Sequence, residues 1–143
     1  MKALAERAKR VHEIRFLRFA FIGTCGFLVN ELALYLTIFF TGVNKYVAWF
    51  PAFAVAVTFT WWGNRTLTFR DRAASKGLVR EWFVFLLGNS LGAAANFFVY
   101  FMMLRFAPQP FGNPLLALVA GTLVGLVFNF TVASRFIFRA SEM

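Results

Sequence analysis

Four long apolar segments dominate this sequence of 143 residues. A helix needs about 20 mainly apolar residues to cross the roughly 30 Å hydrocarbon core of a bilayer. The segments cover residues 16–40, 46–63, 82–104 and 114–133, and their only charged residues are Arg18 and Glu31. The pattern predicts an all-α integral membrane protein in which four helices form a bundle.

Composition supports a membrane environment. Apolar residues make up 60% of the chain and include 21 Phe, whereas soluble domains are roughly 45–50% apolar. A small soluble fold would leave too much of this surface in contact with water. The single Cys and single His do not form the usual metal or nucleophile–base sets, so we expect no metal, no cofactor and no enzymatic step.

The basic residues are unevenly distributed between the connections. Most of the 15 Lys and Arg lie before the first segment, between the second and third, or after the fourth, and the other connections hold only Lys45 and Arg105. Positive charge marks the cytoplasmic side of a membrane protein. We therefore expect a multi-pass protein of the bacterial inner membrane with both termini in the cytoplasm, and the net charge of +9 does not indicate a nucleic-acid partner.

The two halves of the chain are similar. A shift of 66 residues aligns Gly26 with Gly92 and Asn30 with Asn96, and both halves end in a basic, aromatic element. Since each half contains two predicted spans, the halves enter the membrane in the same direction. We predict two parallel repeats of one helical hairpin, at residues 16–70 and 82–139.

Glu31 is the only carboxylate within a predicted span. An ionised carboxylate within the membrane-spanning part of a helix costs about 2.5 to 3.5 kcal/mol of free energy unless it has a partner. We predict a polar contact or coupling site formed by Glu31 with Asn30 and Asn96. The alternative is a hydrogen bond between helices, or a carboxylate at the outer membrane interface, without a role in function.

Arginines stand at the predicted cytoplasmic ends of the spans, and guanidinium groups bind phosphate oxygens bidentately. The candidates are Arg18, Arg65, Arg70, Arg135 and Arg139. The alternative is that they only set topology and contact anionic lipid headgroups. Asn64 and Asn129 lie near the same ends and either assist binding or link helices.

Small residues predict close packing of the helices. Glycines recur within the first, third and fourth segments, and Gly121 and Gly125 form a small-xxx-small motif. The glycines in the first and third segments are Gly23, Gly26, Gly88 and Gly92.

Three motifs resemble the GtrA-like family: Arg18-Phe19 through Gly23, Asn30-Glu31, and Asn64-Arg65-Thr66-Leu67-Thr68-Phe69. The resemblance extends over residues 16–139 and implies a single GtrA-like membrane domain over residues 1–143. It implies a flippase that moves a polyprenyl-phosphate-linked monosaccharide, such as undecaprenyl-phosphate glucose, to the outer leaflet for cell-surface polysaccharide biosynthesis or modification. The phosphate would lie at the arginines, and the sugar would contact Asn30, Glu31 and Asn96.

Two other functions stay open. A small multidrug or cation exporter would bind its cation at Glu31 and exchange it for protons, and a membrane scaffold would hold a glycosyltransferase without transporting anything. The arginines favour the anionic lipid. Because four helices enclose little space, we also hold a homodimer or a partner complex as a hypothesis.

Overall fold

A computed structural model of the protein describes residues 2–71 and 77–138, and the prediction of an all-α fold is confirmed for these residues. They contain four α-helices: α1 at Lys2–Thr41, α2 at Lys45–Gly63, α3 at Leu78–Phe106 and α4 at Pro114–Val132. A π-helical turn follows α2 at Asn64–Thr68, and another follows α4 at Ala133–Ile137. The described residues form two compact units, a first hairpin of α1 and α2 and a second hairpin of α3 and α4, each with its π turn.

The helices begin and end close to the predicted spans, with one exception. Helix α1 begins at Lys2, well before the predicted span at residue 16. The preceding residues are mostly Ala, Glu, Lys and Arg, which favour helix without requiring burial. At α4, Pro114 occupies the first helical position, where its missing N–H group costs no hydrogen bond.

A short turn joins the helices of the first hairpin. Gly42 has a φ of 68°, a backbone conformation that glycine adopts without strain, and its N–H donates to the Ile38 carbonyl at 2.9 Å. The Asn44 side-chain oxygen accepts from the N–H groups of Tyr46 and Val47, at 3.0 and 3.1 Å. These bonds end α1 and cap α2, so the chain reverses within three residues.

Three helical segments are long and apolar enough to cross a membrane, at Lys9–Thr41, Leu78–Phe106 and Leu116–Ile137. Helix α2 is not among them, because Pro51, two Thr and three Trp lower the mean hydropathy of its 19 residues. The described part of the chain is therefore a multi-pass membrane protein. A fourth span at α2, a four-helix bundle, parallel repeats and cytoplasmic termini stay predictions.

Small residues bring α1 and α2 together. Ala48 and Ala52 of α2 are fully buried, and Ala56 is 8% exposed. At Gly26 of α1, an added Cβ would lie 2.1 Å from the Thr60 methyl group. Large side chains instead cover the outside of the hairpin, where Phe21 and Phe50 are each 69% exposed. Large apolar groups on the outside are suited to contact with lipid.

The second hairpin packs through glycine on both helices. An added Cβ at Gly121 would lie 2.6 Å from the Asn96 carbonyl oxygen, and one at Gly125 would lie 3.1 Å from the Gly92 carbonyl oxygen. The packing role of the small-xxx-small motif is thus confirmed within this hairpin. For Gly23 the packing prediction is wrong within the described residues, because no atom lies within 4 Å of an added Cβ.

Candidate functional site

Each hairpin ends in a π turn that directs a phenylalanine inward. The Phe69 N–H donates to the Asn64 carbonyl, and the Phe138 N–H donates to the Ala133 carbonyl, both at 2.8 Å and both five residues back. Phe69 and Phe138 are fully buried. Phe69 packs on Phe19 with ring centroids 6.3 Å apart, and Phe138 packs on Phe85 at 6.4 Å. π turns are rare in proteins, and those that do occur are often located at functional sites.

The Asn64 side chain stabilises the first π turn. Its Nδ2 donates to the Thr60 carbonyl at 2.9 Å, and its Oδ1 accepts from the Thr68 hydroxyl at 2.9 Å. Asn64 is 1% exposed, so these bonds are made away from water or lipid headgroups. The second π turn has Ala133 at the corresponding position and lacks this side-chain network.

Replacing Asn64 tests this role. Asn64→Ala is expected to lower the free energy of unfolding by about 1 to 2 kcal/mol, because the buried Thr68 hydroxyl loses its acceptor. The change is measured by SDS titration of the purified protein in mixed micelles, followed by circular dichroism. The matched control is Thr66→Ala, whose hydroxyl donates to the Trp62 and Gly63 carbonyls at the end of α2. Equal stability of the two variants would contradict the role of Asn64.

An open groove of about 1070 Å³ lies between α1 and the end of the first π turn. Its polar lining residues include Arg15, Arg18, Thr66, Arg70 and Asp71. Its apolar lining residues include Ile14, Leu17, Phe21 and Ile22, which are interspersed with Arg15 and Arg18 along α1. Because Arg15, Arg18 and Ile22 are spaced by three and four residues on α1, one face of this helix forms much of the groove.

Two arginines of α1 are held in place by the segment that ends the hairpin. Arg18 Nη1 donates to the Leu67 carbonyl at 3.1 Å. This carbonyl belongs to the last turn of a helix, where backbone acceptors lack partners within the helix. Arg15 Nη2 forms an ion pair with Asp71 Oδ2. The groove thus has two guanidinium groups that each make one contact with this segment, and each has further N–H groups that these contacts do not use.

The structure brings together only part of the predicted site. Arg18 and Arg70 both line the groove. Arg65 is half-buried and, like Asn64, is not part of the lining. Arg139 lies outside the described residues. Sequence reasoning did not assign Arg15 or Asp71 to the site, although Arg15 precedes Arg18 by three residues and so shares its helix face.

Asn30 and Glu31 lie about 20 Å along α1 from Arg18, well away from the groove. Asn30 Nδ2 donates to Glu31 Oε1 at 3.4 Å, a long hydrogen bond, and Glu31 is exposed. The Asn30 Oδ1 atom is buried and has no hydrogen-bond partner among the described residues. The two residues form a polar patch within a predicted span.

The predicted polar residues of the second hairpin occupy two different places. Asn96 packs on Gly121 and Gly125, while Asn129 packs on Gly92 with a buried Oδ1 that has no partner in residues 2–71 and 77–138. Arg135 is exposed on the second π turn. Asn96 also lines a smaller cleft of about 580 Å³.

The arginines of the two π turns do not correspond in position. Arg65 is the second residue of its turn, and Arg135 is the third residue of the other. A shift of one residue along a helical turn changes the direction in which a side chain leaves the helix. Within their own hairpins, the two side chains therefore leave the helix in different directions.

The helices define a multi-pass helical membrane protein, and a groove lined by three arginines and one aspartate lies at the end of its first hairpin. Residues 18–138 match the family model described as GtrA/DPMS, transmembrane domain, and the chain belongs to this family. The resemblance to the GtrA-like family is thereby confirmed. Among curated proteins, no relative matches the chain.

Proposed function

We propose that this protein translocates a polyprenyl-phosphate-linked monosaccharide across the bacterial inner membrane, for the biosynthesis or modification of a cell-surface polysaccharide. The groove of the first hairpin supports this most strongly, because its lining combines three arginines with several apolar side chains. A polyprenyl-phosphate sugar likewise combines a charged group with an apolar one, since its anionic phosphate is attached to a long hydrocarbon chain. No enzymatic step and no cofactor are part of the proposal.

The phosphate is proposed to bind at the arginines. A guanidinium group presents several N–H donors in a planar arrangement that fits phosphate oxygens. Arg18 is already held by a hydrogen bond to the Leu67 carbonyl, so less of its side-chain entropy is lost when an anion binds. Arg70 is exposed on the same groove and adds a third cation.

The hydrocarbon chain is proposed to remain in contact with lipid. Leu17 and Phe21 of the groove lining are 66% and 69% exposed, so apolar side chains of the groove also belong to the outer surface of α1. An open groove lets a long isoprenoid leave sideways without being enclosed by protein. Only the polar headgroup then requires a path between the leaflets.

The sugar is proposed to contact the polar residues within the spans, at Asn30, Glu31 and Asn96. A buried amide oxygen without a partner costs free energy, and Asn30 Oδ1 is such an atom within the part of the chain that the structure describes. A sugar hydroxyl would supply the missing donor. Asn129, Arg65, Arg135 and Arg139 are retained as further candidates for headgroup contacts.

The proposal includes a topology and partners. We propose that α2 crosses the membrane as the fourth span and that the groove faces the cytoplasm with both termini. A homodimer or a glycosyltransferase partner would widen the surface available to the headgroup, and both are hypotheses.

A liposome assay tests the proposed function. Vesicles containing the purified protein and a labelled polyprenyl-phosphate glucose are expected to expose the sugar to an impermeant reagent faster than vesicles without protein. Equal rates would remove the flippase proposal. Two labelled lipids serve for comparison: the same polyprenyl phosphate without sugar, and a phosphatidylglycerol. They show whether the protein requires the sugar-phosphate headgroup or moves any anionic lipid.

The exporter stays a second candidate because Glu31 is exposed within a predicted span. Proton-coupled uptake of a cationic dye, lost in Glu31→Gln, would favour the exporter over the flippase. If neither lipid nor cation moves and the protein raises the activity of a co-reconstituted glycosyltransferase, the scaffold function is favoured.

A further inference from the structure

One groove residue opposes the binding of an anion. Asp71 lines the same groove as Arg15, Arg18 and Arg70, and its carboxylate is paired with Arg15. The side chain of Arg15 is 13% exposed and that of Asp71 is 63% exposed. The carboxylate therefore lies on the solvent side of the pair, where an incoming phosphate would approach.

The pair affects the site in two ways. It occupies N–H groups of Arg15 that would otherwise be open to a phosphate. It also places a negative charge within the space that the ligand enters, and the resulting repulsion grows in proportion to the charge of the ligand. Both effects lower the affinity for an anion, and the second lowers it more for a more highly charged anion.

This difference matters for the two ways in which polyprenyl carriers hold a sugar. A monophosphate diester carries one negative charge, and a diphosphate diester carries two. The three arginines and Asp71 give the groove a formal charge of +2. Without the aspartate the formal charge would be +3, and the attraction of a diphosphate would increase by twice as much as that of a monophosphate.

We propose that Asp71 is a specificity-determining residue that limits the binding of diphosphate-linked lipids relative to monophosphate-linked lipids. The inference rests on the proposed function, because it concerns the same headgroup site. Asp71 acts through its own charge and through the N–H groups of Arg15 that it occupies. Its removal changes the ratio of the two affinities, which a residue with only a structural role would not do.

The test measures binding of two lipids that differ only in the number of phosphates. The full chain is placed in nanodiscs of phosphatidylcholine at 0.15 M salt, where charges farther than about 8 Å are largely screened. The probes are a short-chain polyprenyl-phosphate glucose and the corresponding polyprenyl-diphosphate glucose. Asp71→Asn is expected to raise affinity about fivefold for the monophosphate and about 25-fold for the diphosphate, since the electrostatic free energy doubles with the ligand charge.

The matched control is Glu13→Gln. Glu13 is also acidic and exposed, forms an ion pair with Lys9 at 3.9 Å, and is not part of the groove lining. Glu13→Gln removes the same charge from the chain as Asp71→Asn. An unchanged affinity ratio in Glu13→Gln therefore assigns the change seen in Asp71→Asn to the groove. A similar change in both variants would overturn the inference.

Other outcomes separate the inference from the proposed function. If the wild-type protein binds the monophosphate but Asp71→Asn leaves the ratio unchanged, or raises both affinities by the same factor, the specificity role is overturned and the headgroup site stands. If the wild-type protein binds neither probe, both the specificity role of Asp71 and the proposed headgroup site are contradicted. Circular dichroism checks that Asp71→Asn remains folded, and Asp71→Glu is expected to keep the wild-type ratio.

Discussion

Gly121→Ala is expected to lower the free energy of unfolding of the second hairpin by about 3 kcal/mol. The added Cβ would lie 2.6 Å from the Asn96 carbonyl oxygen and 2.5 Å from Asn96 Oδ1. The amide group is able to rotate away, but the carbonyl belongs to α3 and moves only with the helix backbone. Helices α3 and α4 must therefore separate, which weakens packing along their contact. SDS titration with circular dichroism measures the change.

Gly23→Ala is the control for this prediction. It makes the same change within a predicted span, but no described atom lies within 4 Å of the added Cβ. Since alanine is a better helix former than glycine, this variant is expected to be as stable as the wild type or about 0.5 to 1 kcal/mol more stable. Equal loss of stability in both variants would contradict the close approach at Gly121.

Arg18→Gln is expected to lower the affinity for the monophosphate lipid by about 10-fold to 100-fold. Arg18 lies at the meeting point of α1 and the first π turn, where it donates to the Leu67 carbonyl. Glutamine keeps a polar N–H donor on a shorter side chain but removes the charge that is proposed to bind phosphate. Binding is measured with the same lipid in nanodiscs, and the rate of sugar exposure at low lipid concentration is expected to fall by the same factor.

The control for Arg18→Gln is Arg105→Gln. Arg105 lies near the end of α3, 5.5 Å from the centroid of the Phe106 ring, and is not part of the groove lining. Its replacement removes one cation without changing the site, so affinity is expected to stay within about twofold of the wild type, as for an exposed charge. A comparable loss in both variants would indicate attraction by the net charge of the protein and not binding in the groove.

The sequence predicted the helices because their cause is local. Long apolar segments define the predicted spans, and Asn44 and Pro114 mark helix starts through hydrogen bonds or ring geometry within a few residues. The family was also predictable, since its motifs are continuous in sequence. Among the small residues, Gly121 was recognised correctly by its spacing, whereas Gly23 has the same residue type without a close neighbour.

The groove was predictable only in part because it depends on contacts between distant residues. Arg18 and Arg70 were recognised from their position at the ends of predicted spans. The partners of Arg15 and Arg18 are Asp71 and the Leu67 carbonyl, which lie 56 and 49 residues away in sequence. A π turn also rotates the residues that follow it, so the direction of Phe69 or Phe138 does not follow from the spacing of an ordinary helix.

Helix α1 runs without interruption for 40 residues and is thus about 60 Å long, twice the thickness of the hydrocarbon core. If it crosses the bilayer from residue 16, the residues before that point form a rigid arm of about 20 Å. Because the arm is long, a small change in the tilt of α1 produces a larger displacement at its tip. A change of about 10° in the tilt of α1 would move the tip of the arm by roughly 4 Å, so a partner attached there would sense motion within the membrane.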